Sequence, residues 1–283
     1  LFAQVEVNAL NLRSGRGTQF PVISTLTRGT MMAVLEEGTW SKVMLENGVT
    51  GYVATEYIQH MDAQAVTQAL AERRNNPGVV LTGSQPLIAM YQTHSSESFV
   101  PTSGRAHVYD NPDQTVTRVG IELANALRNR GAVVIHSSED HVRQAFNQAY
   151  DNSLRTITGI LSTYPGVDLV LDIHRDAIRR SLTTTKLNGE DVARIAIVVG
   201  TKTEPGHPSW QANYAVAQLL QRKLDELYPG LSRGILLQNQ GRYNQHVHPH
   251  ALLLEIGGHE NSLEEALRAT TYLADAIMQL FAP

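Results

Sequence analysis

The sequence predicts an α/β domain with a mostly parallel sheet flanked by helices, preceded by a small all-β barrel. From residue 87 onward, apolar runs of strand type alternate with helical patterns, as in parallel sheets whose strands are buried on both faces. Residues 1–60 instead hold short apolar runs that turn residues interrupt about every ten residues, as in small all-β folds. We therefore predict a barrel over 1–60, a Pro/Gly-containing linker over 61–86 and the α/β domain over 87–283.

Five apolar runs and four helical patterns make up the predicted α/β domain. The first helical pattern runs from Val116 to Leu127, with Gly131 as a C-terminal stop, because apolar residues recur every three or four positions. The last begins behind Ser262 and Glu265, the pair of a capping box. The other two patterns run through Phe146, Ile157 and Leu161 and from Val216 to Leu227. The strand-type runs are PLIAMY, GAVVIHS, VDLVLDIH, ARIAIVVG and ALLLEIGG.

The composition is that of an ordinary globular chain and narrows the choice of ligands. The net charge of −4 over 283 residues gives no support for a nucleic-acid partner. No apolar stretch approaches the roughly 20 residues of a membrane helix. The chain has no cysteine, so any transition metal must be bound by histidine and carboxylate. Because the first residue is Leu1, we expect that a signal or anchor preceded it in a longer precursor.

The N-terminal region carries a recognisable pattern. Its clearest hairpin signal is Asn47-Gly48, since Asn-Gly accepts the positive φ of a tight turn. The pattern also includes Asn11, Arg13, Ser14, Gly15, Gly17, Trp40, Gly51 and Tyr52. With these residues in place, residues 5–60 resemble a bacterial Src-homology-3 (SH3b) domain, although Arg16 stands where a proline is common. The resemblance implies binding of cell-wall peptides or a role as a spacer.

Polar side chains collect where three predicted strands end. His94 and Glu97 follow the first run, Asp172 and His174 end the third, and Glu255 lies inside the last. Ligands of open α/β sheets bind beyond the carboxyl ends of the strands. A carboxylate inside an apolar run must be paired, protonated or bound to a cation. A single histidine after a strand is usually a loop residue, but the joint arrangement favours a metal site.

The residue types suit zinc and hydrolytic chemistry. Zn²⁺ accepts imidazole nitrogen and carboxylate oxygen, and hydrolytic sites keep one position open for water. His94 and Glu97 can reach one ion from a single loop turn, and His174 supplies a third ligand from a neighbouring strand. Zinc lowers the pKa of its bound water toward about 7. Glu255, which is not needed as a ligand, is the predicted general base.

The segments AMYQTHSSESF, VVIHSSEDH, LVLDIHRDAI and LLLEIGGHENSLEEA resemble the stage II sporulation protein P family of peptidoglycan hydrolases over roughly residues 86–281. That family is related in fold to the zinc muramoyl amidases and, more distantly, to zinc carboxypeptidases. The resemblance implies extracytoplasmic, zinc-dependent cleavage of the amide between N-acetylmuramic acid and L-alanine, with stem-peptide cleavage as a second activity. It matches His94 and His174 to zinc ligands and Glu255 to the catalytic glutamate.

The third ligand is predicted to be Glu97, because its His-x-x-Glu spacing from His94 resembles that of zinc carboxypeptidases. The related muramoyl amidases take their glutamate from near the start of the next helix, where this chain has YDNPDQTVTR and no glutamate. His141, which also follows a strand, is the runner-up. Gln92 stands where the family leads us to expect histidine, and we expect it to point away from the metal. The histidines of HVHPH alternate in an extended segment and are not expected to be ligands; they are His246, His248 and His250.

Four further residues are predicted to contact substrate. Arg175 and Arg242 suit stem-peptide carboxylates, because a guanidinium binds them in a bidentate manner, although a structural salt bridge explains them equally well. Asn244 is predicted to wall the groove and His259 to line the cleft.

Two alternatives stay open on sequence alone. One is a non-catalytic wall-binding or regulatory module, and the other is an endopeptidase or carboxypeptidase that cleaves only stem peptides. The expected partner is peptidoglycan in every case, through its glycan strands or stem peptides, and a second wall hydrolase is also considered as a partner. Product analysis of digested sacculi separates the three functions.

Overall fold

The computed structural model describes residues 2–26, 30–45, 50–61, 85–143, 146–202, 207 and 210–282. These fall into two compact units, one made of residues 2–61 and the other of most of 85–282. The predicted linker over 61–86 and the Asn47-Gly48 turn lie almost wholly outside the described residues. No helix among the described residues is both long enough and apolar enough to cross a membrane.

The first unit is an antiparallel sheet with strand order β3-β2-β6-β5-β4-β1-β7. Its strands agree with the all-β prediction, whereas an SH3-like barrel stays a prediction. Alternation along β2 and β6 directs Leu12 and Val53 into a small apolar core that also holds Val5 and Val43. The strands are β1 Phe2–Val5, β2 Leu10–Arg13, β3 Val22–Leu26, β4 Met31–Glu36, β5 Trp40–Leu45, β6 Thr50–Ala54 and β7 Ile58–Met61.

The second unit is built on a six-stranded sheet of order β14-β13-β15-β10-β8-β9. All its pairings are parallel except the antiparallel pair β13–β15, so the prediction of a mostly parallel sheet is confirmed. A two-stranded hairpin, β11–β12, lies beside it. The strands are β8 Leu87–Tyr91, β9 Val133–His136, β10 Leu169–Asp176, β11 Thr184–Leu187, β12 Glu190–Ala193, β13 Ile195–Gly200, β14 Ser232–Gln238 and β15 Ala251–Gly258.

The helices follow the predicted periodicity. They are α1 Val100–Ser103, α2 Val116–Arg128, α3 Ala149–Thr163, α4 Arg180–Thr183, α5 Trp210–Leu227 and α6 Leu263–Met278. The four longer ones correspond to the predicted patterns, except that Phe146 lies in a short 3₁₀ turn before α3. The predicted stop is confirmed, since α2 ends before Gly131 at φ +94°. The predicted capping box of Ser262 and Glu265 is confirmed at the start of α6.

The central sheet has two different faces. Leu171 and Ile173 of β10 join the core formed with α2, α5 and α6, and we call this side the helix face. Because side chains alternate along a strand, Asp172 and His174 lie on the opposite side, together with Glu255, which pairs in register with His174. We call this second side the site face. Alternation thus separates the apolar core from the polar residues of the predicted site.

Candidate metal centre

The turn after β8 brings His94 and Glu97 together. The main-chain N–H of Glu97 donates to the carbonyl of His94 at 2.9 Å, so the chain folds back within three residues. The carboxylate of Glu97 also accepts the main-chain N–H of Arg175 at 3.1 Å, which ties this turn to the end of β10. Both residues are therefore held by backbone contacts as well as by their own side chains.

The three predicted ligands converge on one point. Nδ1 of His94 lies 3.3 Å from Oε1 of Glu97, and Nδ1 of His174 lies 3.3 Å from Oε2 of the same carboxylate. The two imidazole rings are 5.1 Å apart and nearly perpendicular. One ligand atom from each residue falls within 4.8 Å of the others. Two nitrogens and a carboxylate thus surround a single position.

The electrostatics of this group fit a cation. Burial acts to raise the pKa of Glu97, but the two imidazoles outweigh burial and hold that pKa well below its usual range. Burial likewise acts to lower the pKa of His174, but Asp172 and Glu97 outweigh it and raise that pKa. Each effect means that the site favours positive charge beside the carboxylate. A set of two nitrogens and one oxygen that favours positive charge suits zinc.

Glu255 lies next to this group but is not part of it. It pairs in register with His174 on the adjacent strand, and neighbouring strands are about 4.8 Å apart. Its Oε2 atom is buried and has no hydrogen-bond partner among the described residues. Burial raises the pKa of Glu255 to about 8, and Glu97 and Asp176 add to the effect of burial while His174 opposes it. A carboxyl group with such a pKa in a polar site is a candidate for proton transfer.

Asp172 is a site residue whose role the sequence analysis missed. Its carboxylate accepts two hydrogen bonds from Thr93, one from the main-chain N–H at 2.8 Å and one from the hydroxyl at 2.6 Å. Its Oδ1 atom lies 3.1 Å from Nε2 of His174. The spacing of Asp172 and His174, two residues apart in one strand, was visible in the sequence, because it places both on one face.

Aromatic rings to which the sequence analysis assigned no role in the site contact His94. The ring of Phe146 stacks on it at 4.7 Å, and the ring of Tyr150 meets it edge-on at 5.3 Å. Tyr150 in turn contacts Tyr243 at 5.8 Å. Burial raises the pKa of both tyrosines, so both stay neutral near neutral pH and contribute polar but uncharged surface.

The runner-up ligand His141 is engaged elsewhere. One ring nitrogen lies 2.7 Å from the carbonyl of Gln92 and the other 2.9 Å from the hydroxyl of Thr156. Both nitrogens therefore have partners, which favours Glu97 as the third ligand. The side chain of Gln92 contacts His136 at 2.7 Å, in keeping with the expectation that it points away from the metal.

Two of the predicted substrate-binding residues have structural tasks. The guanidinium of Arg175 is buried and donates to the carbonyls of Ser98, at 2.9 Å, and Ala106. It therefore holds the loop that follows Glu97, and its contact with a substrate carboxylate stays a prediction. The buried amide of Asn244 donates to the carbonyl of Tyr150 at 2.9 Å, and its place in the wall of a groove likewise stays a prediction.

The remaining predicted residues lie around the same sheet. Arg242 is close enough to lower the pKa of His246 and of His207, after the larger effect of burial, and its contact with substrate stays a prediction. His259 follows β15, and its main-chain N–H donates to the carbonyl of Asp176 at 2.9 Å. In the HVHPH segment, ring nitrogens of His248 and His250 contact the carbonyls of Val167 and Asp168 at 3.1 and 2.9 Å.

An α/β sheet that carries a His–Glu–His group at the carboxyl ends of its strands, with Glu97 and His174 buried, defines a candidate metalloprotein. The chain belongs to the stage II sporulation protein P family, whose model matches residues 12–278. The matched range includes most of the first unit, whereas the family resemblance seen in the sequence covers only about residues 86–281. Stage II sporulation protein P of Bacillus subtilis (strain 168) is 32% identical over 225 residues, which are 74% of this chain and 54% of that protein. The chain thus spans about half the length of that relative.

Several solved amidase structures show similarity to the chain at low identity. The CwlD amidase of Clostridioides difficile, in complex with the GerS lipoprotein, has a TM-score of 0.45 and 11% identity over 69% of this chain and 98% of its own. An N-acetylmuramoyl-L-alanine amidase of Clostridium difficile 630 has a TM-score of 0.44 and 17% identity over 70% of this chain and 95% of its own. The Ami1 amidase of Mycobacterium smegmatis has a TM-score of 0.44 and 13% identity over 71% of this chain and 97% of its own. Likeness at this level carries no argument about function.

Proposed function

We propose that the chain is a zinc-dependent peptidoglycan hydrolase that cleaves the amide between N-acetylmuramic acid and L-alanine outside the cytoplasm. The observation that carries the proposal is the convergence of His94, Glu97 and His174 beside Glu255, whose Oε2 atom is buried, in a member of the stage II sporulation protein P family. Residues 1–60 are proposed to act as an SH3b module that tethers or orients the enzyme on the wall.

The side chains of His94, Glu97 and His174 would hold the ion. Zinc supplies a Lewis acid for the scissile carbonyl and lowers the pKa of its bound water toward about 7. The protein itself positions Glu97, because the main-chain N–H of Arg175 donates to the Glu97 carboxylate and the main-chain N–H of Glu97 donates to the carbonyl of His94. The rings of Phe146 and Tyr150 restrict the ring of His94 by packing against it.

Glu255 is proposed to move the proton. It takes the proton from the attacking water and returns it to the amine of L-alanine as that amine leaves. A group that both accepts and releases a proton works best when its pKa is near the working pH, and the pKa of Glu255 is raised to about 8 by burial. A bound cation would favour its ionised form and bring that pKa down toward neutrality.

The test is product analysis of purified sacculi digested by the parent chain and by Glu255→Gln. We expect glycan strands and intact stem peptides from the parent, and a loss of roughly 10²–10⁴-fold in rate for the variant. Zinc content is expected to be about one per chain in both proteins, because Glu255 is not a ligand. Glu264→Gln, which changes an exposed glutamate of α6, serves as the matched control and should cleave like the parent.

Other products would change the proposal. Shortened stems on intact glycan strands would replace the amidase with a stem-peptide peptidase. Binding of sacculi without any release would favour the wall-binding module. Full activity in Glu255→Gln would remove the proposed role of Glu255.

A further inference from the structure

The carboxylate of Asp172 is the most enclosed charged group of the site face outside the ligand set. Only 2% of the residue is exposed, and Thr93 donates to both of its oxygens. Oδ1 also lies 3.1 Å from Nε2 of His174. That nitrogen is buried and makes no well-aligned hydrogen bond to any described residue. The carboxylate of Asp172 is nevertheless close enough to accept its proton.

We infer that Asp172 is a positioning residue for His174: it holds the ring through its Nε2–H, so that Nδ1 turns its lone pair toward the metal position. The inference rests on the proposed zinc centre. A neutral imidazole has one donor nitrogen and one acceptor nitrogen, so an acceptor at Nε2 decides which nitrogen is free to bind a metal. The placement of Nδ1, 3.3 Å from Glu97 on the opposite side, is the one this tautomer requires.

A chain of hydrogen bonds holds Asp172 itself in place. The hydroxyl of Thr93 gives its one proton to Asp172, so its oxygen must accept from Ser153, whose Oγ lies 2.8 Å away. The oxygen of Ser153 in turn accepts from the amide of Asn244 at 3.0 Å. Because a carboxylate oxygen can only accept, the donor and the acceptor of each hydrogen bond in this series are determined. The rotamer of Asp172 is therefore fixed from α3 and from the loop after β14.

The far end of this chain lies in a strained loop. Asn244 has φ +54° and Tyr243 has φ +50°, a left-handed conformation that residues other than glycine adopt uncommonly. Such strain persists when surrounding contacts hold it, and the amide of Asn244 makes those contacts with Ser153 and with the carbonyl of Tyr150. The hydrogen bonds that orient the metal ligand also hold the loop that places Tyr243 beside Tyr150.

The test measures zinc affinity of the full chain by competition with a chromophoric chelator. Asp172→Asn keeps the shape and removes the charge. We expect its zinc affinity to fall roughly 10–100-fold, the usual effect of losing an outer partner of a metal-bound histidine. Asp168→Asn is the matched control. Asp168 accepts the main-chain N–H of Leu87 at 2.9 Å and, four residues before Asp172 along an extended chain, is about 13 Å from it; its affinity should match that of the parent.

A merely structural role would give a different pattern. It would lower the melting temperature of metal-free Asp172→Asn and leave the zinc affinity of the folded chain unchanged, as we expect for Asp168→Asn. Equal zinc affinities of parent and Asp172→Asn overturn the inference, while the proposed hydrolase stands if the parent still cuts sacculi. If the parent binds no zinc, both the inference and the proposed function fail.

The tautomer supplies a second readout that does not depend on activity. Nitrogen-15 NMR of the zinc-loaded chain, labelled at histidine, distinguishes the protonated ring nitrogen from the metal-bound one. We expect the His174 signals to show hydrogen on Nε2 and metal on Nδ1. Hydrogen on Nδ1 would overturn the inference, even with tight zinc binding.

Discussion

The two faces of the central sheet are formed by the same strands but have different surroundings. On the helix face, Leu171 and Ile173 are completely buried among apolar side chains. On the site face, Asp172 and His174, their immediate neighbours in β10, are buried just as deeply but among charged groups. One strand therefore carries both a hydrophobic core and a candidate metal centre, because alternate side chains point to opposite sides.

The two glutamates of the site face repeat this contrast on a smaller scale. Glu97 lies between two imidazoles, and its pKa is held well below its usual range against the effect of burial. Glu255 has a buried oxygen with no hydrogen-bond partner among the described residues, and burial raises its pKa to about 8. The difference shows that environment rather than residue type sets the two pKa values, since the two side chains are chemically identical.

The largest expected effect is on metal binding. His174→Ala removes a nitrogen ligand, so zinc affinity should fall by more than the roughly 10–100-fold typical of outer-shell changes. The same chelator competition measures it. Cavity formation on this face should cost stability as well, so the metal-free melting temperature is recorded as a control. Zinc affinity equal to that of the parent would remove His174 from the ligand set.

The next effect concerns pH. The folded-state pKa of Glu255, about 8, is above its ordinary value of 4.5, so the folded chain binds an additional proton between those pH values. Stability from this group is present at low pH and is lost as pH rises toward 8. The full shift corresponds to on the order of 5 kcal/mol. Metal-free parent and Glu255→Gln, compared by denaturant unfolding from pH 5 to 8, should diverge as pH rises, because the parent loses stability while the neutral amide of the variant does not titrate. Parallel stability curves would contradict the raised pKa.

The helix face should respond in the opposite way. Leu171→Ala is expected to lower the free energy of unfolding by about 2–5 kcal/mol, because it removes buried methyl groups from a packed core. Zinc affinity of the folded chain should change little, since no ligand is touched. Denaturant unfolding and chelator competition check the two expectations. A loss of zinc affinity as large as that of His174→Ala would mean that the two faces are not separable.

The sequence predicted those features that depend on local periodicity. The helix from Val116 and the capping box at Ser262 follow from spacing alone and are confirmed. Strand ends likewise predicted that His94, Glu97 and His174 would meet, and the structure brings them together. Each of these inferences needs only neighbours in the chain or the rule that parallel strands end at one edge.

Features that depend on distant partners were missed. Asp172 is held by Thr93, which lies 79 residues away, and Arg175 is committed to carbonyls of a loop that lies about as far from it in sequence.

Strand β14 was missed because it is half exposed and contains Gly234 at φ +97°, a residue that weakens a strand pattern. The antiparallel pairing of β13 with β15 was missed for a related reason, since apolar runs do not record direction.

The most direct test of the account is metal removal and restoration. The purified chain is stripped with a chelator, dialysed, and assayed for release of glycan strands and intact stems before and after zinc is added back. The account predicts that the stripped chain is inactive and that about one zinc per chain restores cleavage. Full cleavage by a chain shown to hold no metal would contradict it, because Glu255 would then act without the His94–Glu97–His174 centre.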